Sequence, residues 1–155
     1  MGCARVICKR GLGVKITDLG EFSGPVLLFG GPYSNLQAFE ALKDAAERLD
    51  IPAERMICTG DVVAYCADAE ATVRAVRAHG CTVVAGNSEK QLAEGSDDCA
   101  CGFDDNSQCS ILARGWYAHA LGDVSRDSQD WMAACPGTCL QICSTSNAQP
   151  WARPY

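Results

Sequence analysis

The sequence has no long hydrophobic run and no excess of positive charge. The longest apolar stretch near its start is Val6-Ile7-Cys8, too short for a secretory signal, and no segment approaches the length of a membrane span. The chain has 155 residues, with 13 Lys and Arg against 19 Asp and Glu, a formal net charge of -6. Because an acidic surface repels phosphate backbones, we expect no nucleic-acid binding through bulk charge. We therefore expect a cytoplasmic protein with neither a membrane nor a nucleic-acid partner.

Two common phosphate-binding fingerprints are also missing. Neither the Gly-x-Gly-x-x-Gly pattern nor the Walker loop occurs, so we expect no dinucleotide or ATP binding through them. Cys66 and Arg74 lack the Cys-x5-Arg spacing of cysteine phosphatases. A phosphate site, if the chain has one, must use another arrangement.

Cysteine is abundant, with 11 in the chain. In a reducing cytosol most of these are expected to be buried thiols, and a cluster of them can bind a metal. Cys58 and Cys81 lie in apolar runs, which predicts packed core thiols. Cys99, Cys101 and Cys109 lie among aspartates, and thiolates near carboxylates can hold zinc or iron. Two interpretations stay open: a zinc or iron site at these three cysteines, or a polar loop whose cysteines stay free or bridge on oxidation.

Short apolar runs alternate with helical periods along the first two thirds of the chain. The runs 25–29, 56–58 and 81–85 are typical of strands buried on both faces. Helical spacing separates them, and Ser34 with Gln37 has the spacing of a capping box. This order predicts the α/β class, with a parallel β-α-β-α-β core.

The remaining segments are predicted more coarsely. One helix is expected from about Asp68 to Gly80, a short one up to about Gly95, and two more at about 108–120 and 126–135. We expect residues 1–24 to form a partly irregular leader and residues 136–155 an irregular tail without periodicity. The domain itself would then occupy residues 25–135.

Three short motifs directly follow the three predicted strands. They are Gly-Gly-Pro-Tyr-Ser-Asn at 30–35, Gly-Asp at 60–61 and Gly-Asn-Ser-Glu at 86–89. The carboxyl ends of parallel strands meet at one edge of a sheet, where ligands bind. Small residues before a helix also favour an anion. We therefore predict a phosphate-binding loop through Gly30, Gly31, Ser34 and Asn35.

In their order, the three motifs resemble those of the calcineurin-like metallophosphoesterase superfamily. That family carries Asp-x-His-Gly-Asn-Leu, Gly-Asp and Gly-Asn-His-Asp or Glu after successive strands. The resemblance covers about residues 25–135, the amino-terminal half of the family's αββα sandwich. It implies metal-dependent hydrolysis of a small phosphate ester, with two divalent ions (Mn, Fe or Zn) that activate water and bind the phosphoryl oxygens. In this resemblance Asp61 bridges the metals and Asn87 binds one of them.

Three positions depart from the family pattern. Gly31 and Tyr33 stand where the family has its first Asp and His ligands, and Ser88 stands where it has the acid histidine. Further histidine ligands would come from a second half without a counterpart here. The resemblance therefore implies a divergent, truncated member, impaired or inactive as a hydrolase.

Two further expectations follow from an incomplete sandwich. The segment 136–155 would be translated from a shifted reading frame. An uncovered face of the sheet would be buried in an oligomer. The alternative function is a non-catalytic module that binds an anion at residues 30–35 or a metal at the clustered cysteines.

Overall fold

The computed structural model describes residues 16–104, 107–137 and 139–144. In chain order the elements are β1 (Ile16–Phe22), β2 (Leu27–Phe29), α1 (Leu36–Arg48), β3 (Met56–Cys58), α2 (Ala69–His79), β4 (Thr82–Val83), α3 (Asn87–Glu94), α4 (Gln108–Asp123), α5 (Arg126–Ala134) and β5 (Cys139–Ser144). The described part is mixed α/β with five helices. Residues 1–15 and 145–155 lie outside it, so the frame change proposed for the tail stays a prediction.

The central sheet has three parallel strands in the order β2-β3-β4. Leu27 pairs with Met56, and Ile57 pairs with Thr82. All three residues of β3 are buried, as expected for the middle strand of a parallel sheet. The predicted α/β class and parallel β-α-β-α-β core are therefore confirmed.

Helix α1 begins one residue later than the capping-box spacing predicted. Asn35 is its N-cap, and the Asn35 Oδ1 atom accepts a hydrogen bond from the backbone N–H of Ala38 at 2.9 Å. Ser34 is fully buried with φ +56°, and its hydroxyl bonds to another loop. The expectation that Ser34 caps α1 is therefore wrong, because a tertiary contact uses the hydroxyl that the local pattern assigned to the helix.

Helices α2 and α3 end as the sequence predicted. Gly80 follows α2 with φ +82° and Gly95 follows α3 with φ +67°, a left-handed conformation that glycine adopts without steric cost. Val73 and Val76 of α2 are fully buried. The two glycines thus fix where each helix ends.

A second sheet lies in segments that were predicted to be irregular. Residues 139–144 form β5, which pairs in parallel with β1. The prediction of an irregular tail from 136 is therefore wrong over this strand, and the leader contains a strand too. Asp18 and Gly20 weaken the local strand signal of β1, whose register shifts between Asp18 and Glu21. These strands depend on a partner far along the chain, which a local pattern cannot reveal.

The surface carries one exposed apolar residue on the central sheet. Leu28 of the edge strand β2 is 61% exposed. The oligomer predicted to cover a sheet face stays a prediction.

Among the helices in the described ranges, none combines the length and the apolar character needed to cross a bilayer.

Glu70 connects the first turn of α2 to the turn between α4 and α5. Its Oε2 atom accepts from the backbone N–H of Ser125 at 2.9 Å, and its Oε1 atom accepts from the Ser125 hydroxyl at 2.9 Å. Arg74 Nε also donates to Oε1, at 2.6 Å. Burial alone would raise the pKa of Glu70, but these hydrogen bonds outweigh it and lower the pKa to about 2.

Replacing Glu70 should therefore alter how stability depends on pH. Because the folded-state pKa is depressed, the stabilisation is present above the ordinary value of 4.5 and is lost as pH falls toward about 2. We expect Glu70→Gln to lower the free energy of unfolding at neutral pH by about 1–3 kcal/mol. Urea unfolding of both proteins should show this difference shrinking on acidification through that window.

A control separates this effect from general surface charge. Glu40 pairs with Lys43 at 2.8 Å on the exposed side of α1. Glu40→Gln should change the free energy of unfolding by less than ~0.5 kcal/mol. A Glu70→Gln difference that stays constant or grows on acidification would contradict the assignment.

Candidate functional site at the carboxyl ends of the central strands

The loops that follow β2, β3 and β4 contact one another. We call residues 30–35, 60–64 and 86–89 together the strand-end junction. The backbone N–H of Tyr33 donates to the Asp61 carbonyl at 3.3 Å, and that of Ser34 donates to the Val62 carbonyl at 2.8 Å. The three motifs that the sequence placed after neighbouring strands therefore lie side by side at one edge of the sheet.

The first loop turns sharply through two residues with positive φ. Tyr33 has φ +55° and Ser34 has φ +56°, a conformation that costs L-residues free energy. Ser34 offsets part of that cost with its side chain, since its Oγ atom accepts from the backbone N–H of Ala64 at 3.1 Å. The Ser34 hydroxyl is fully buried against the second loop and does not face solvent.

Glu89 connects the second and third loops through both carboxyl oxygens. Its Oε2 atom accepts from the backbone N–H groups of Asp61 and Gly86, each at 2.8 Å. Its Oε1 atom accepts from the N–H of Val62 at 2.8 Å and from that of Val63 at 3.4 Å. Glu89 is 0% exposed. One carboxyl group therefore satisfies four backbone donors that the fold removes from water.

The charge of Glu89 is set by two opposing influences. Burial raises its pKa above the ordinary 4.5, and the nearby charge of Asp61 adds to the rise, while the backbone donors oppose it. A raised pKa means that the folded chain holds the proton more tightly than the unfolded chain.

Asp61 and Glu89 meet beside Gly86. A Cβ atom built on Gly86 would lie 2.4 Å from Asp61 Oδ1 and 3.0 Å from Glu89 Oε2, so both carboxyl groups border the same glycine. Asp61 has φ +58°, and its Oδ1 atom is buried without a hydrogen-bond partner among the described residues. Only glycine fits at position 86.

Asn87, the second predicted metal ligand, is directed toward the cysteine loop. Its Nδ2 atom donates to the Cys99 carbonyl at 2.9 Å. Asp61 and Asn87 thus belong to adjacent loops, and the amide group of Asn87 holds a neighbouring segment.

Of the three positions that depart from the family pattern, Gly31 and Ser88 are tightly packed and Tyr33 is exposed. A Cβ atom on Gly31 would lie 2.0 Å from the Asp61 carbonyl oxygen, so the two backbones are in direct contact. The Tyr33 ring packs against the Tyr65 ring, with centroids 5.3 Å apart. Ser88 is 2% exposed.

The predicted phosphate-binding loop uses several of its polar groups internally. The Asn35 side chain caps α1 and the Ser34 hydroxyl contacts Ala64. The backbone N–H groups of Tyr33 and Ser34 donate to the second loop, and that of Asn35 donates to the Pro32 carbonyl at 3.1 Å. Gly30 is exposed and Gly31 is partly buried. These groups stabilise the turn.

The clustered cysteines are not arranged as three thiol ligands. Cys99 and Cys101 form a disulfide, and Cys109 is a free, exposed thiol in the first turn of α4. Within the described ranges, no group of three or more His, Cys, Asp or Glu side chains is placed to hold a metal ion.

Cys58 and Cys81 are the packed core thiols that the sequence predicted. Both are buried and free. Burial raises the pKa of Cys58 to about 12 and that of Cys81 to about 11.

Glu89 is the residue of this junction that sequence reasoning missed as a site residue. The signal was present, because an acidic residue three positions after a helix N-cap commonly bonds back to the N-cap N–H. Its contacts with Asp61 and Val62 could not be anticipated, since they depend on how the loops meet.

Compared with protein-family models and with curated proteins, the chain gives no match.

Proposed function

We propose that the chain is a divergent relative of the calcineurin-like metallophosphoesterases in which phosphate-ester hydrolysis is impaired or absent. The single observation that carries this proposal is the bonding of Glu89. In place of an open ligand cluster, one buried carboxyl group accepts from the backbone N–H groups of Asp61, Val62, Val63 and Gly86. A strand-end junction closed in this way has a structural role.

The residues present do not fit the dinuclear metal site of that family. Asp61 Oδ1, a buried oxygen without a partner among the described residues, is the one feature that suits a cation. Gly31 offers no ligand and has no room for one, because the Asp61 backbone occupies the place of its Cβ. Ser88 is buried and cannot act as a general acid near neutral pH. These residues therefore support no hydrolytic step through a metal pair.

The alternative, a non-catalytic module for an anion or a metal, has less support. Anion binding at residues 30–35 needs free N–H groups, and those of Tyr33, Ser34 and Asn35 already donate to carbonyl oxygens. Metal binding at the cysteine cluster needs thiolates, and the sulfur atoms of Cys99 and Cys101 are bonded to each other. The Cys99–Cys101 disulfide would have to be reduced before these cysteines could bind zinc or iron.

The proposal predicts no metal-dependent turnover of phosphate esters. Protein loaded with manganese should hydrolyse p-nitrophenyl phosphate no faster than the Asp61→Ala variant prepared in the same way. The comparison removes background from contaminating phosphatases, which would act equally in both samples. Turnover at least tenfold above that of Asp61→Ala would contradict the proposal and restore Asp61 as a metal ligand.

A further inference from the structure

The Cys99–Cys101 disulfide lies in a groove next to the strand-end junction. The groove has a volume of about 430 Å³, and both cysteines line it together with Asp98, Phe103, Ser110 and Arg114. A volume of this size suits a small organic ligand. We propose that this pair is a thiol–disulfide exchange site for small thiols that carry carboxylate groups.

The fold does not depend on this disulfide. It joins residues separated by two positions, so it closes a very short loop and restricts the unfolded chain little. Other contacts hold the segment: Asn87 Nδ2 donates to the Cys99 carbonyl, and the Tyr117 hydroxyl donates to the Ser96 carbonyl at 2.9 Å. The bond can therefore open without unfolding the domain.

The residue between the two cysteines favours opening. Ala100 has φ +52°, a left-handed conformation that is unfavourable for a residue with a Cβ. Its N–H donates to Asp98 Oδ1 at 2.7 Å, which together with the disulfide holds the tight turn. Reduction removes one of the two constraints and lets Ala100 leave this conformation.

The two sulfur atoms differ in access, which sets the order of bond changes. Cys99 is 4% exposed, whereas Cys101 is partly exposed. An incoming thiolate attacks Cys101 Sγ, the Cys101–Cys99 bond breaks, and Cys99 leaves as a thiolate that takes up a proton. A second small thiol then attacks the mixed disulfide at the sulfur that came from the first small thiol, and Cys101 is released as a thiolate. One protein disulfide and two small thiols thus become one protein dithiol and one small disulfide.

Arg114 supplies the charge preference of the groove. Its exposed guanidinium is the cation among the described residues that line the groove, and it suits the carboxylate of a thiol such as glutathione. Asp98 lies on the same groove and suits an amino group. A thiol that bears both groups matches this lining better than a thiol with an amine alone.

Peptide mapping of the redox equilibrium tests the exchange directly. The Cys109→Ser variant is equilibrated with glutathione mixtures of increasing reduced fraction, acid-quenched, alkylated and digested with trypsin. The peptide 91–114 of this variant contains only Cys99 and Cys101. We expect both cysteines to become alkylated together as the mixture becomes more reducing, while circular dichroism stays that of the folded chain. A pair that never oxidises, never reduces or reacts as two independent thiols would overturn the proposal.

Three variants test the attacked sulfur and the strained residue. In the Cys109→Ser background, oxidised glutathione should form a mixed disulfide at Cys101 in Cys99→Ser at least about tenfold faster than at Cys99 in Cys101→Ser. Ala100→Gly should raise the oxidation equilibrium constant about fivefold, since glycine accepts positive φ. Equal trapping rates, or an unchanged equilibrium in Ala100→Gly, would contradict the geometry.

The choice of small thiol is tested with Arg114→Gln. This change should slow reduction by glutathione about threefold and leave reduction by cysteamine, which has no carboxylate, unchanged. Equal slowing with both thiols would show that Arg114 acts on the sulfur chemistry and not on the carboxylate.

Discussion

Glu89→Gln should destabilise the protein more than any other single exchange of an acidic residue for its amide in the described part of the chain. The amide group keeps the size of the carboxyl group but replaces one acceptor oxygen with a donor. Two of the four backbone N–H groups would then face an NH₂ group inside the protein. Each buried donor without an acceptor costs about 1–3 kcal/mol, so we expect the free energy of unfolding to fall by about 2–6 kcal/mol.

A loss of this size is a large part of the stability of an ordinary domain, about 5–15 kcal/mol. Urea unfolding followed by circular dichroism measures it. Glu94 provides the matched control, because it lies at the end of the same helix and is exposed. Glu94→Gln should change the free energy of unfolding by less than ~0.5 kcal/mol. Similar values for the two variants would show that Glu89 does not hold the loops together.

The second large effect is expected at Gly31. A methyl group there would meet the Asp61 carbonyl oxygen at 2.0 Å and the Gly60 carbonyl oxygen at 2.6 Å. These are backbone atoms that cannot rotate away, so one of the two loops must move. We expect Gly31→Ala to lower the free energy of unfolding by about 3 kcal/mol, and Gly31→Asp to lower it further.

The neighbouring glycine is the control for this substitution. A Cβ atom on Gly30 would have nothing within 4 Å. Gly30→Ala should leave the free energy of unfolding unchanged or raise it by up to ~1 kcal/mol, because alanine restricts the unfolded chain. Thermal unfolding of both alanine variants gives the comparison. A stable Gly31→Asp protein with manganese-dependent phosphatase activity would show that the first ligand position of the family remains open.

The parallel core could be predicted because its signals are local. The apolar run before Gly30, the apolar residues before Gly60 and the glycines at 80 and 95 each determine a strand or a helix end from neighbouring residues. The meeting of the three loops at one edge then follows from parallel topology alone. These inferences needed no knowledge of which side chains touch.

The remaining features depend on contacts between distant segments. Strand β5 forms against β1, more than a hundred residues earlier in the chain, and neither strand has a clear alternating pattern. The hydroxyl of Ser34 bonds to Ala64, which moves the helix cap to Asn35. The same limit hid Glu89, whose first-turn position was visible but whose bonds to the second loop were not. In each case the contact that decides the structure joins segments that lie far apart in the sequence.

Amide hydrogen exchange of the folded chain tests most directly whether Glu89 holds the loops together. The account predicts that the N–H groups of Asp61, Val62 and Gly86 exchange as slowly as those of the central strand β3, and that Glu89→Gln accelerates all three together under conditions where most of the variant is folded. Rapid exchange of these amides in the unaltered protein, at the rate of exposed loop amides, would contradict it.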